Sequence, residues 1–292
     1  MTRTSMAACG PDRTEGEAIG EPVIMHDAGN PQRLQRAVDD LSSGFGLWRL
    51  AWALASGDIK ERYRGSVLGP LWLTLSTALM LGMLGVLYAK LFRIDLASYL
   101  PWLSASLVIW GVLLQSVNDA CITMTSSEGV IRQMPLPYTL HALRAVFRNA
   151  LVAAHNLPLI LIVLALFGIM PGWEALMAIP GLILLAFCAF WAGLLFGAVC
   201  ARFRDIPPII ASIMQIAFFM TPIIWKPELV GHWQPWLPLN PFYSMMEIVR
   251  APLLGRPFPL IEWVASLVYS GLLGVAAFAL FARFRNRIAF WV

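Results

Sequence analysis

Residues able to do chemistry are sparse in this 292-residue chain, and they gather in short segments between long apolar stretches. Thr125-Ser-Ser-Glu128 has the spacing of a capping box, in which a hydroxyl and a carboxylate satisfy free backbone donors at a helix start. The helix it predicts runs through Gly129, Val130, Ile131, Arg132 and Met134 before Pro135 and Pro137 stop it. Arg202, Arg204 and Asp205 form a charged turn ahead of Pro207 and Pro208. Orientation by positive charge explains the arginines there but not the acid beside them. Asn240-Pro241 reads as another helix start, Asn capping and Pro at the first helical position, with a helix through Arg250 that ends near Pro252. None of these is a catalytic constellation. The sequence holds no HExxH, GxSxG or P-loop motif and no paired carboxylates. Cys9, Cys121, Cys188 and Cys200 lack CxxC spacing, which argues against a zinc site and a disulfide framework. The expectation is a chain that is not an enzyme and holds no metal or cofactor of its own.

What must position these segments is a set of six stretches without a charged residue, at 65–89, 96–118, 149–173, 175–201, 206–225 and 263–282. Each has at least the roughly 20 residues a transmembrane helix needs. One charge at mid-bilayer costs about 2.5–3.5 kcal/mol on insertion scales, so its absence from all six stretches marks them as spans. The fold class expected is all-α, a polytopic membrane protein with six transmembrane helices. Gln115, Asn118, Asn156 and Gln215 fit helix-to-helix hydrogen bonding better than a proton relay, and His155 is the one histidine in the spans. Gly193 and Gly197 make a GxxxG that packing within the chain and dimerisation explain equally.

Ahead of the first span, Phe45, Trp48, Trp52, Ala55 and Ile59 recur at steps of three and four, with Arg49, Ser56, Lys60 and Tyr63 opposite. That pattern predicts an amphipathic helix in the headgroup plane, with a cytosolic helix packed on a partner as the alternative. Residues 226–262 hold seven prolines interleaved with aromatics, a composition that fits either a segment re-entering the membrane to cap a pathway or a plain outer loop with its aromatics at the interface. Residues 45–292 read as one membrane domain. Residues 1–44, with seven acids, five glycines and three prolines, read as a disordered cytoplasmic tail. Removing residues 1–40 is accordingly expected to leave function intact.

Spans alternate sides, so basic residues can be counted by side. Beyond residue 44, twelve fall on the side of the two ends of the chain and five on the other face. Both termini are therefore expected in the cytoplasm, in a bacterial inner membrane. This asymmetry accounts for the pI of 9.0, and no nucleic-acid partner is expected.

Residues 58–72, leading into the first span, resemble the corresponding segment of permease subunits of ATP-binding-cassette exporters for polysaccharides (capsule, O-antigen and teichoic acid). Three more segments match in the same order. Glu128-Gly-Val-Ile-Arg-Gln-Met-Pro-Leu-Pro137 resembles that family's coupling helix, and Arg202-Phe-Arg-Asp205 the turn after its fourth span. Thr221-Pro-Ile-Ile-Trp225 and Leu239-Asn-Pro-Phe242, with Arg250 downstream, resemble its outer gate, which makes Pro222, Trp225, Asn240, Pro241, Phe242 and Arg250 the gate residues. Met134 stands where the family often has an aromatic or leucine. The resemblance covers roughly residues 45–290. It implies a homodimer that receives two copies of a separate ATP-binding subunit, where ATP-Mg binds. Glu128, Gly129, Val130, Ile131, Arg132, Met134 and Pro135 would make the coupling contact. A lipid-linked polysaccharide would enter near Trp52, Arg62, Tyr63 and Arg64, since guanidinium matches phosphate geometry, although positive-inside anchoring would place the same arginines there. Membrane lipids and envelope-spanning export proteins complete the implied partners, and a drug or lipid is the alternative cargo. Tyr88, Trp102, Trp110, Phe218 and Phe219 are the aromatics expected along a glycan path, with interfacial belts as their ordinary explanation.

Overall fold

The computed structural model of the chain describes residues 32–66, 69 and 71–292. Among them, ten α-helices follow in order: α1 (Arg33–Gly46), α2 (Trp48–Arg62), α3 (Leu71–Phe92), α4 (Leu96–Ile122), α5 (Glu128–Gln133), α6 (Tyr138–Leu166), α7 (Ala178–Arg202), α8 (Ile206–Met220), α9 (Pro241–Leu253) and α10 (Leu260–Trp291). Short 3-10 segments at Thr125–Ser127, Trp173–Met177 and Pro227–Leu239 join some of them. The chain is all-α over the described residues and carries five helices long and apolar enough to cross a membrane. The fifth apolar stretch of the sequence, 206–225, is not one continuous span. It gives the 15-residue α8, about 22 Å long at 1.5 Å per residue against a hydrocarbon core of about 30 Å. The helix stops because Thr221 precedes Pro222 and is held extended, at φ −97° and ψ 136°.

Helix α4 is the central one. Over its most apolar window 56% of residues are buried inside the protein, against 11% for α3, which turns most of its surface outward. Tyr99, Trp102, Leu103 and Ile109 of α4 pack with Ile160 and Leu164 of α6 and with Ile248 and Val249 of α9. Lipid is as apolar as these side chains, so close fit rather than water exclusion holds the helices together. The glycine pair of α7 works within the chain. A Cβ on Gly197 would meet Met124 at 3.1 Å, and one on Gly193 would meet Ala142 at 3.5 Å.

A second cluster ties α1 and α2 to α10, with Ala37, Ala51, Met124, Leu140, Leu194, Phe281 and Ile288 among its members. Here the boundary drawn at residue 44 is corrected. Residues 33–46 are a helix, and its Asp40 is buried (3% exposed). The Asp40 carboxylate accepts hydrogen bonds from the Thr139 amide at 3.0 Å, the Thr139 hydroxyl at 2.8 Å and the Tyr138 amide at 3.3 Å. Arg285 Nε donates to it at 2.8 Å. An acid on α1 thus caps the start of α6, whose own N-cap residue, Pro137, supplies no side-chain bond. Gly44 permits the approach, since a Cβ there would lie 2.4 Å from Thr139 Cβ. The tail assigned to residues 1–31 lies outside the described residues.

Asp40 also reverses the expectation for removing residues 1–40, because that truncation uncaps α6 and strips Arg285 of its partner. Arg285→Met, which leaves Asp40 buried without its cation, should cost about 3–5 kcal/mol in thermal or denaturant unfolding of the detergent-solubilised protein. Adding Asp40→Asn should return part of that loss, because the amide needs no counter-charge. An Arg285→Met variant as stable as the parent would contradict this account.

Candidate functional site

The segment expected to make the coupling contact, Glu128 to Pro135, lies at the charged end of the bundle. Helix α5 has no buried residue. Glu128 and Arg132 pair across one turn at 2.8 Å, with side chains 41% and 60% exposed, and Met134 follows at 57%. Gly129 and Pro135 are exposed, while Val130 and Ile131 are half-buried beneath them. The capping box does not form. Thr125 Oγ1 turns back to the Ile122 carbonyl at 3.2 Å, because Thr125–Ser127 continues almost directly from α4 as a 3-10 turn. Glu128 is thereby left to Arg132. Arg132 Nη2 also donates to the Val292 carbonyl oxygen at 2.6 Å, tying α5 to the end of α10.

Behind α5 lies a charge network that joins three helices. Arg144 on α6 grips Asp58 on α2 with Nε at 2.8 Å and Nη2 at 2.5 Å. One turn on, Arg148 reaches both Asp58, at 3.4 Å, and Asp119 at the end of α4, at 2.8 Å. Gln115 Nε2 adds a bond to Asp119 at 2.7 Å. Helix α2 lies on α6 through Ala51 and Ala55, both fully buried, so its contact face is the small-residue side. The single stripe expected over Phe45, Trp48, Trp52, Ala55 and Ile59 is corrected: the helix breaks at Leu47, so Phe45 belongs to α1, and Ala55 turns into the contact with α6, while Phe45, Trp48 and Trp52 remain 44–51% exposed. Arg62 and Arg64 are exposed at the end of α2 and Tyr63 is half-buried. Neither arginine forms an ion pair among the described residues.

Arg202, Arg204 and Asp205 occupy the exposed turn between α7 and α8. At the opposite end the predicted gate residues meet. Asn240 caps α9, accepting from the Phe242 and Tyr243 amides, and its Nδ2 donates to Thr221 Oγ1 at 2.9 Å. Arg250 Nη1 donates to the Pro222 carbonyl at 2.7 Å and to Ser106 Oγ at 2.8 Å. Trp225 Nε1 donates to the Phe219 carbonyl, Phe242 rests edge-on against Trp110, and Pro241 opens α9. Arg250 is fully buried, paired with Glu247, and lies 3.6 Å above the Trp102 ring centre, with Arg256 at 4.5 Å from the same ring. Trp102 and Trp110 are therefore core residues within this chain and do not line a path, whereas Phe219 is 66% exposed.

The sequence reading missed Asp40, Asp58, Asp119, Arg144, Arg148, Arg285, Glu247 and Arg256 as a class. Arg144 and Arg148 stand four apart, as do Gln115 and Asp119, which was a usable signal of polar faces at helix ends. Glu247 and Arg250 share a helix face in the same way, but nothing local shows that α9 folds back until Tyr243 and residues 244–252 are all buried.

A model of the ABC-2 type transporter family matches residues 49–254, from the start of α2 to just past α9. Two proteins from Klebsiella pneumoniae, each named O-antigen export system permease protein RfbA, are 23% identical to this chain over 247 residues, covering 83% of this chain and 95% of theirs. A protein of the same name from Myxococcus xanthus is 25% identical over 203 residues, covering 68% of this chain and 78% of its own.

The Asp58 network makes a pH-dependent prediction. Burial raises the Asp58 carboxyl, but the hydrogen bond and charge of Arg144, followed by Arg148, outweigh it and hold the group below the usual carboxylate range. A carboxylate with a lowered folded pKa stabilises the fold at pH above its unfolded value, near 4, and loses that contribution as pH falls through the folded one. Asp58→Asn should therefore lower the unfolding midpoint at about pH 7, and the gap to the parent should narrow below about pH 4. A gap that stays constant across this range would show that the network contributes nothing through charge.

Proposed function

The chain belongs to the ABC-2 type transporter family, and from that membership we propose that it is the transmembrane subunit of an ATP-driven exporter of a lipid-linked polysaccharide. The cargo class follows the printed names of the relatives, which are O-antigen export permeases and align with most of this chain. A capsular polysaccharide belongs to the same class. In this reading ATP is hydrolysed by a separate ATP-binding subunit, present twice, on a homodimer of this chain in the bacterial inner membrane. Both ends of the chain then lie in the cytoplasm, and envelope-spanning proteins receive the polymer.

The observation that carries the reading is the exposure of α5 on a braced base. The helix is short, Glu128, Arg132 and the Met134 that follows it are accessible while Val130 and Ile131 pack beneath, and the segments on either side of it are anchored. On its C-terminal side Asp40 caps α6, and on its N-terminal side Asp119 ties α4 to Arg148. A push on such a helix passes into α4, α6 and α10 instead of dissipating in a loop. ATP-driven closure of the paired ATP-binding subunits would shift both copies of α5 and open a path between the two permeases. Arg62, Tyr63 and Arg64, at the end of the interface helix with Trp52, would meet the diphosphate of the lipid carrier, for which exposed guanidinium groups are suited. At the outer face, Pro222, Asn240 and Arg250 hold the end of α8 against α9 and act as the gate.

Two experiments test this. Disrupting the gene in its native host should accumulate lipid-linked glycan in the cytoplasmic membrane and remove it from the surface; an unchanged glycan profile would favour a drug or lipid as cargo. Glu128→Lys and Arg132→Glu should each weaken association with the ATP-binding subunit by about tenfold or more, with insertion unchanged. The double exchange Glu128→Arg, Arg132→Glu restores the internal ion pair and should still fail to couple. Full ATPase stimulation by these variants would overturn the assignment of α5.

A further inference from the structure

A cavity of about 300 Å³ opens between the ends of α7 and α10, on the face that carries α5. Its walls divide by chemistry along the helix axes. Ala198, Val199 and Leu280 form an apolar end, continuous with the charge-free part of both helices. Phe203, Phe284 and Trp291 form the middle, and Arg202 and Arg287 the far end. Four residues separate Ala198 from Arg202 and seven separate Leu280 from Arg287, so the guanidiniums stand about 6–10 Å beyond the apolar end.

These two arginines differ from the paired cations of this face, and from others without an ion pair among the described residues, such as Arg62, Arg64, Arg204 and Arg283, in lining one cavity together. Arg144 and Arg148 are consumed by Asp58 and Asp119, Arg285 by Asp40, and Arg132 by Glu128. Arg202 and Arg287 make no ion pair among the described residues, and no acid lines the cavity they share. Arg202 is held by rings, 5.7 Å from the centre of Trp291 and 5.8 Å from that of Phe203. Packing on aromatic faces fixes the position of a guanidinium and leaves its N–H donors free for an anion.

We propose that this cavity binds one anionic phospholipid. Its phosphate would lie between Arg202 and Arg287, its glycerol against Phe284 and Trp291, and the start of an acyl chain along Val199 and Leu280. Three features of the site match that ligand: a paired cationic end, an apolar end one to two helical turns away, and a place where charge-free helices give way to basic residues. Basic pockets between helices at this boundary bind lipid headgroups by the same physics. The volume holds a headgroup and excludes a polymer, so the site differs from any path for cargo. It does not depend on the export reading.

The test is native mass spectrometry of the intact purified chain, exchanged from detergent into mixed micelles of phosphatidylglycerol or phosphatidylethanolamine. The expected result is one phosphatidylglycerol retained per chain, at least about fivefold over phosphatidylethanolamine, and insensitive to millimolar inorganic phosphate. Arg202→Gln with Arg287→Gln should abolish the preference, while Arg204→Gln, on the exposed turn beside the cavity, should keep it. Leu280→Trp, which fills the apolar end and spares both arginines, should also reduce retention. Equal retention of the two lipids, or a preference surviving the double variant, would overturn the proposal. So would displacement by inorganic phosphate, which would mark a plain anion site. If the double variant keeps its lipid and loses a protein partner instead, the cavity is a protein contact and the proposal fails.

Discussion

A carboxylate withdrawn from water has to be answered by donors withdrawn with it, and the architecture of this membrane domain follows from where that requirement is met. Asp40 is answered by Arg285 and the first amides of α6. Asp58 and Asp119 are answered by Arg144 and Arg148. Glu247 is answered by Arg250, with Arg256 nearby at 3.9 Å. Each network joins elements remote in sequence: α1 to α6 and α10, α2 to α6 and α4, and α9 to α4 through Ser106 and Trp102. Within lipid, apolar packing alone discriminates poorly between helix arrangements. Paired charges at the ends of a bundle are directional, and they select one.

The networks fall at two ends of the described bundle. At the end carrying α1 and the end of α10, paired charges form a base on which α5 sits exposed, tied down by Ile131 and by the Arg132 bond to Val292. Under the proposed function this combination is mechanical: an exposed helix on a braced footing would transmit displacement, whereas one on a free loop would absorb it. At the other end, Arg250 holds the Pro222 carbonyl, so the segment where α8 stops is tied to a helix that folds back into the bundle. A transporter of this family has to move one end in response to the other. Helices α4 and α6 run between the two ends, and both carry residues of the charge networks.

Much of this was legible in the residues. Five helices long enough to cross a membrane came directly from absent charge, and the Asn240 cap and the α9 helix from local chemistry. The break at Thr221 was written in Pro222, but the charge-free run to Trp225 hid it. Helix α1 was obscured for a different reason. Leu34, Ala37, Val38, Leu41 and Phe45 recur at helical spacing, yet the acids, glycines and prolines averaged over 44 residues read as a tail. Its buried face, Ala37, Asp40 and Gly44, has no large apolar residue to announce it. The long-range partners were not legible at all. Nothing near Asp40 in sequence specifies Arg285, 245 positions away. Helix α5 was legible as a segment, but the capping box proposed for it lost to an ion pair.

The central claim is that α5, and not another part of this face, receives the ATP-binding subunit. Hydrogen–deuterium exchange on the chain reconstituted in lipid, with and without that subunit, tests it most directly. The account predicts new protection over 125–135, with residues 138–142, already capped by Asp40, changed little. Protection that leaves 125–135 untouched and appears elsewhere on this face would contradict it.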